Sequence, residues 1–198
     1  ALGPVRIRSR LALATLGLAG TATTWVAWPA RWRSDETVGA ESGSVAYDGA
    51  RVGYAVGERE PVALESPAAE LLRLDSLLAR FGDWHRWHPD LRVIQRIRRE
   101  DEDAVLVRAG GTSGPAATFY VDWTTGLVGR VDSLTYAEGM GRIGQRVSFG
   151  DYREVSGVMI PHQTRIQLAN PLIGEIVSTI EDIELGVALP DGLFELAD

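Results

Sequence analysis

The segment Phe149–Pro161, with the sequence FGDYREVSGVMIP, decides the fold class. On either side of its centre, Arg146 to Tyr152 and Pro161 to Leu168 are short stretches that mix apolar and polar residues, a pattern typical of strands. Ser156-Gly157 lies between them, and glycine readily adopts the backbone conformation of a tight reversal. The segment therefore predicts an antiparallel β-hairpin.

Segments of the same kind occur along most of the chain, separated by glycine, proline or acidic turns. Glu100–Asp103 and Thr124–Gly126 are two further turn sequences that join neighbouring segments into hairpins. This spacing predicts a mainly β protein whose antiparallel sheet is curled or closed to limit its edges. The predicted strands are Val45 to Val56, Val93 to Arg98, Ala104 to Ala109, Thr118 to Trp123, Leu127 to Tyr136, Arg146 to Tyr152, His162 to Leu168 and Glu175 to Leu185.

One helix is predicted between the strands, from Pro67 to Phe81. Ser66 is a good N-cap, and Gly82 is a suitable residue to end the helix. Two interpretations of its apolar face are open: the face packs on the sheet, or it covers a cavity inside the curved sheet and lines a binding site. The residues at helical spacing on this face are Leu71, Leu74, Leu78 and Phe81.

The N-terminal segment also has two interpretations. Arg6, Arg8 and Arg10 precede the uncharged run Leu11 to Ala30, as the basic residues of a signal peptide or membrane anchor would. Alternatively, the arginines alternate with apolar residues as in a strand, and Thr21 to Trp28 forms a second strand. Residues 1–20 would then hold the first strand, the interpretation that we favour.

Composition limits the chemistry that this chain can perform. Its 198 residues are 45% apolar, which predicts a single globular domain over residues 1–198. The net charge is −7, and this argues against nucleic acid as a partner. With no cysteine there is no thiolate nucleophile, disulfide or thiolate metal site. No nucleotide-binding or serine hydrolase motif is present, so we predict a protein that is not an enzyme and needs no cofactor.

His85 and His88 are the one pair of neighbouring histidines. On a helix their spacing would place both rings on one side, where Asp83 or Asp90 would complete a metal site of a hydrolase. Gly82 and Pro89 favour irregular chain instead. We therefore predict a solvated loop and keep the metal site as a weak alternative.

Three tryptophans crowd one short segment: Trp25, Trp28 and Trp32. On a single strand Trp25 would face opposite to the other two, because strand side chains alternate. The group is either edge packing or an aromatic rim that binds an apolar ligand or a partner protein.

Several motifs resemble the LolA-like family of extracytoplasmic lipoprotein-carrier and lipid-binding domains. Asp151-Tyr152-Arg153 followed by Gly157-Val158 and Pro161 is similar to one step of that family's pattern. The resemblance extends from about residue 20 to residue 194. Its other parts are Trp28–Arg33, Tyr47–Gly49, Phe119–Val128 and Leu189–Phe194.

The resemblance implies a strongly curved antiparallel sheet, a half-open β-barrel, wrapped around a helix. It also implies an extracytoplasmic, membrane-associated location and a lipid or other apolar ligand held in the concave face. On this basis we expect the ligand to contact Trp25, Trp28, Trp32, Leu71, Leu74, Leu78, Phe81 and Tyr120, and a polar head group to contact Arg31 and Arg33. The alternative is an interaction subunit with a filled core, bound to a membrane protein complex or to another domain of its parent chain.

Overall fold

The described part of the protein is almost entirely β-structure. A computed structural model describes residues 3–28, 31–65, 69, 72, 90–100, 102–110, 117–137, 141–170 and 174–197. Within them lie thirteen strands and a 3₁₀ turn, Ala14–Leu16. The strands are β1 Val5–Leu13, β2 Leu18–Ala27, β3 Arg31–Val38, β4 Glu41–Tyr47, β5 Val52–Val56, β6 Val62–Ala63, β7 Arg92–Arg98, β8 Asp103–Ala109, β9 Ala117–Asp122, β10 Val128–Ala137, β11 Gly141–Val155, β12 Val158–Leu168 and β13 Glu175–Leu185.

All thirteen strands belong to one antiparallel sheet in the order β6-β5-β4-β3-β2-β1-β13-β12-β11-β10-β9-β8-β7. Each strand lies beside its neighbours in sequence, except that β6 and β7 lie at opposite edges and β1 pairs with β13. Two meanders, β1–β6 and β7–β13, are thus joined edge to edge through the first and last strands. The sheet is strongly curved and stays open, with β6 and β7 at its edges, which confirms the predicted half-open barrel.

The β-hairpin predicted around Ser156-Gly157 is present, formed by β11 and β12. Val155 pairs with Val158, so Ser156 and Gly157 alone make the turn between β11 and β12. Their φ angles are 50° and 83°, and two positive values identify the type I′ turn that suits the twist of a hairpin.

One predicted strand, Val45 to Val56, is wrong in its bounds, because the chain reverses inside it. β4 ends at Tyr47 and β5 begins at Val52. Asp48 Oδ1 accepts hydrogen bonds from the backbone N–H groups of Ala50 and Arg51, both at 2.7 Å, and so stabilises the turn.

Residues 5–27 form the strands β1 and β2, so the structure agrees with the strand interpretation of this segment. The arginines of β1 have carboxylate partners on β13, far away in sequence. Arg6 lies 2.6 Å from Glu184, Arg8 lies 2.8 Å from Asp182, and Arg10 lies 3.6 Å from Glu181. The basic residues thus align the two strands that join the meanders.

The two faces of the sheet differ in character. Register partners share a face, so the faces can be followed from strand to strand. The polar face carries the arginines of β1, and the opposite face, here called the apolar face, carries Val5 and Ile7. One row of register partners on the apolar face crosses eight strands, namely Leu13, Ile176, Ile166, Val147, Val131, Phe119, Val107 and Val93.

Two buried clusters lie on the apolar face, one in each meander. Cluster 1 consists of Val5, Ile7, Val26, Trp32, Tyr47 and Val52. Cluster 2 consists of Ala109, Ala117, Phe119 and Val131. Both clusters form where alternate residues of neighbouring strands are apolar.

Most of the predicted helix Pro67–Phe81 lies outside the described residues. Within them, helical structure is confined to the 3₁₀ turn and to Ala69 and Leu72. Both of these residues pack against cluster 1, and so they lie on the apolar face. The described part of the chain contains no helix with the length and apolar character needed to cross a membrane.

Candidate apolar binding site

The three N-terminal tryptophans do not share one strand, contrary to the premise of their predicted grouping. Trp32 is on β3 and belongs to cluster 1, where it is 6% exposed. Trp25 is on β2 and pairs with Arg33, so it lies on the polar face. Trp28 lies beyond the end of β2 and is 39% exposed. Of the three, the structure places Trp32 alone on the apolar face.

Tyr120 also lies on the polar face. Its neighbour Phe119 is in cluster 2, and consecutive strand residues point to opposite sides. The Tyr120 ring stacks with the guanidinium of Arg130, whose carbon lies 3.5 Å from the ring centre. Tyr120 therefore lies on the face opposite to cluster 2, and its contact with a ligand stays a prediction.

Arg31 and Arg33, predicted to hold a head group, lie on the polar face as the register partners of Ala27 and Trp25. Arg33 Nε lies 2.7 Å from Asp35, and its Nη1 donates to the carbonyl oxygen of Leu193 at 3.4 Å. Arg31 stacks over Phe194 at 5.2 Å. Both arginines hold the C-terminal segment against the sheet and do not approach the apolar face.

A depression of about 200 Å³ opens on the apolar face beside cluster 1. It spans β3, β4 and β5, where short side chains stand in place of large apolar ones. The depression shares Val45 with the packing around cluster 1. Its lining residues are Ser34, Glu36, Val38, Glu41, Ser42, Gly43, Ser44, Val45 and Tyr54.

Glu36 is one of the two acidic residues, with Glu41, that line the depression. Its side chain reaches solvent, yet the surrounding protein displaces much of its water, and this desolvation raises the pKa of the carboxyl above its ordinary value. Ser34 Oγ donates a hydrogen bond to Glu36 Oε1 at 3.4 Å, which opposes the rise. The carboxyl group offers a ligand one hydrogen-bonding point in the depression.

Sequence reasoning missed these lining residues. Trp32, Ser34, Glu36 and Val38 alternate along β3 and face the same side. Period-2 spacing could have placed them together, but serine and glutamate do not signal a core position. Their shared site becomes visible only once β3, β4 and β5 are paired.

The other predicted site residues lie outside the described part of the chain: Leu71, Leu74, Leu78, Phe81, His85 and His88. Among the residues that are described, no three His, Asp or Glu side chains converge to hold a metal ion. The weak histidine metal site stays a hypothesis.

Comparison with known proteins places the fold. No family model and no curated protein matches the sequence. Among solved structures, a LolA superfamily protein from Nitrosomonas europaea matches 96% of this chain over 88% of its own, with a TM-score of 0.62 and 13% identity. A DUF1329 family protein from Desulfovibrio piger matches 97% of this chain over 89% of its own, with a TM-score of 0.62 and 12% identity.

A domain named for outer membrane lipoprotein sorting, from Vibrio parahaemolyticus, also matches. It covers 97% of this chain and 88% of its own, with a TM-score of 0.59 and 6% identity. The chain has the LolA-like fold over most of its length, as the sequence motifs predicted.

Proposed function

We propose that this chain is a non-enzymatic, extracytoplasmic and membrane-associated domain that binds a lipid or the acyl chain of a lipoprotein on its apolar face. The depression between β3 and β5 carries the proposal, because it places an unfilled space beside an apolar cluster. The shared fold with a domain named for lipoprotein sorting supports the same choice of ligand.

Exposed apolar side chains continue from the depression along the same face. Tyr54 lines it and is 38% exposed, while the register partners of Gly43 and Tyr54 are Val56, 49% exposed, and Val62, 50% exposed. Covering these side chains with an acyl chain is favourable, because each methylene buried contributes about 0.8 kcal/mol to the binding free energy.

The size of the depression limits how the ligand binds. Its volume of about 200 Å³ is below the roughly 300–1,000 Å³ of sites that enclose a small molecule. We therefore propose that one part of an acyl chain enters the depression and that the rest lies along Val56 and Val62.

Native mass spectrometry of the full chain tests the proposal, with palmitate and a triacylated lipopeptide as separate probes. Val56→Asp places a charge beside the depression at an exposed position and is expected to weaken binding of both probes. Val158→Asp is the matched control, since Val158 is 41% exposed on a distant hairpin. The proposal fails if neither probe binds the wild-type chain, or if both variants bind equally.

A second candidate is an interaction subunit whose core is filled by its own side chains. The tight packing of cluster 2, where Phe119 is 3% exposed, and of its neighbour Val147, 1% exposed, favours it. Stable co-purification with a membrane complex, together with no lipid in the native mass spectrum, would distinguish this function from ligand binding.

A further inference from the structure

The two edges of the sheet differ. The β6 edge has two residues and is occupied by the C-terminal segment: Val62 bridges Ala197, and Ala197 N–H donates to the Pro61 carbonyl oxygen at 2.8 Å. The β7 edge, Arg92–Arg98, has seven residues, and no described residue pairs with its outer side. An edge strand of this kind offers a row of backbone N–H and C=O groups to another chain.

Apolar side chains at the β7 edge are exposed. Val93 ends the apolar row that crosses the sheet, and it is 70% exposed. Ile94 sits at a register shift in β7 and is 48% exposed, and Trp123 nearby is 55% exposed beneath the guanidinium of Arg96. A strand added at this edge would bury part of the Val93 side chain.

The charged residues of β7 are all basic, because the strand contains three arginines and no acidic residue. Arg96 binds Asp103 through two contacts of 2.7 Å, and Arg98 lies 3.6 Å from the same carboxylate. Arg92 stands directly opposite Arg108, and neither has a carboxylate partner in the described part of the chain. Nε of Arg108 is buried without a hydrogen bond.

Two like charges opposite each other destabilise a strand pair. The chain has 27 acidic residues, yet none of those described neutralises Arg92 or Arg108. A carboxylate from outside, placed beside Arg92, would relieve this repulsion and form charge-assisted hydrogen bonds.

We propose that the β7 edge binds an extended segment of another protein, with an acidic residue beside Arg92 and an apolar residue beside Val93, which joins the sheet as a further strand. Arg92 lies on the polar face and Val93 on the apolar face, so two consecutive residues of the segment meet a guanidinium and an apolar side chain. Beyond the register shift at Ile94, Arg96 and Arg98 lie on the apolar face, where both are paired with Asp103. A second copy of this chain fits poorly, because two antiparallel β7 strands would bring arginines together.

Fluorescence anisotropy of labelled seven-residue peptides with the full chain tests this interaction. A peptide of alternating Glu and Val is expected to bind, and more weakly as salt is added. A peptide with Lys for Glu tests the charge requirement. A peptide with a central proline keeps the charge but removes a backbone donor, and it is expected to bind much more weakly.

Arg92→Glu is expected to weaken binding of the acidic peptide by about tenfold or more and to favour the Lys peptide. The variant should fold, because a glutamate here faces Arg108. Arg142→Glu is the control: Arg142 is exposed on β11, away from the β7 edge. No binding of the acidic peptide, equal binding of the proline peptide, equal loss in both variants, or self-association through β7 would each overturn the proposal.

Discussion

At the scale of single residues, Tyr152 shows how one side chain supports an irregular point in the sheet. The pairing of β9 with β10 shifts register between Val128 and Arg130. The Tyr152 hydroxyl donates a hydrogen bond to the Val128 carbonyl oxygen at 2.6 Å, so β11 stabilises the start of β10. Burial raises the pKa of Tyr152 to about 12, which keeps the hydroxyl available as a donor at neutral pH.

Tyr152→Phe is expected to lower the free energy of unfolding by about 0.5–1.5 kcal/mol, because the Val128 carbonyl loses its donor. Chemical denaturation measures the change. Tyr120→Phe is the control, since the Tyr120 ring stacks on Arg130 and its hydroxyl makes no hydrogen bond within the described residues. Equal losses in the two variants would contradict this role for the hydroxyl.

The raised pKa of Glu36 predicts that the stability of the protein depends on pH. Desolvation raises the pKa of its carboxyl in the folded protein, so folding favours the protonated form. The contribution of Glu36 is fully present below its unfolded pKa and is lost as the pH rises through the folded value. Glu36→Gln should therefore stabilise the protein at neutral pH and have little effect in acid.

Thermal unfolding of Glu36→Gln across this pH range provides the measurement. Glu154→Gln, on an exposed part of β11, is the control for the loss of one negative charge. A stability gain that is the same at every pH, or equal in both variants, would show that desolvation of Glu36 is not its cause.

At the scale of elements, the hairpins depend on short polar loops. Asp122 Oδ1 accepts hydrogen bonds from the backbone N–H of Thr125 at 2.7 Å, from its hydroxyl at 2.8 Å, and from the N–H of Thr124 at 3.0 Å. These bonds, above all those from Thr125, lower the pKa of the Asp122 carboxyl. The turn between β9 and β10 is therefore held by a carboxylate.

Asp122→Asn is expected to destabilise the protein at neutral pH, because the amide is a weaker acceptor than the carboxylate. The contribution of Asp122 is present above its unfolded pKa and is lost as the pH falls through the lower folded value. Denaturation at several pH values should show the two proteins converging in acid. A difference that persists unchanged in acid would point to a cause other than the charge of Asp122.

At the scale of the whole molecule, the pairing of β1 with β13 joins two meanders, each with its own buried cluster. The row from Leu13 to Val93 continues the apolar face across this junction. Because one continuous sheet connects the two clusters, we expect the two meanders to unfold together. This is the behaviour expected of a single domain.

Trp32→Ala in cluster 1 and Phe119→Ala in cluster 2 test this cooperativity. Trp32 is 6% and Phe119 is 3% exposed, so each change should cost about 3–5 kcal/mol through lost burial and a cavity. Calorimetry is expected to show one transition, shifted downward in both variants. Two transitions, of which each variant shifts a different one, would divide the chain into two domains.

Local signals were sufficient to predict much of the fold. Ser156-Gly157 and the Asp122 turn act through backbone angles and hydrogen bonds within a few residues, and strand alternation depends only on period 2. The candidate site was harder to predict. Tyr120 and Trp25 were expected to contact the ligand, but the face on which each lies follows from pairing with particular partners.

By itself, the sequence determined an antiparallel β protein with its hairpins and apolar alternation, because neighbouring residues specify turns and strand faces. Only the tertiary structure decided that Arg6 meets Glu184 and that β3, β4 and β5 enclose a depression. It also decided that β6 is covered while β7 stays open within the described residues. These features depend on register between distant strands, which long-range packing and ion pairing select and no local pattern encodes.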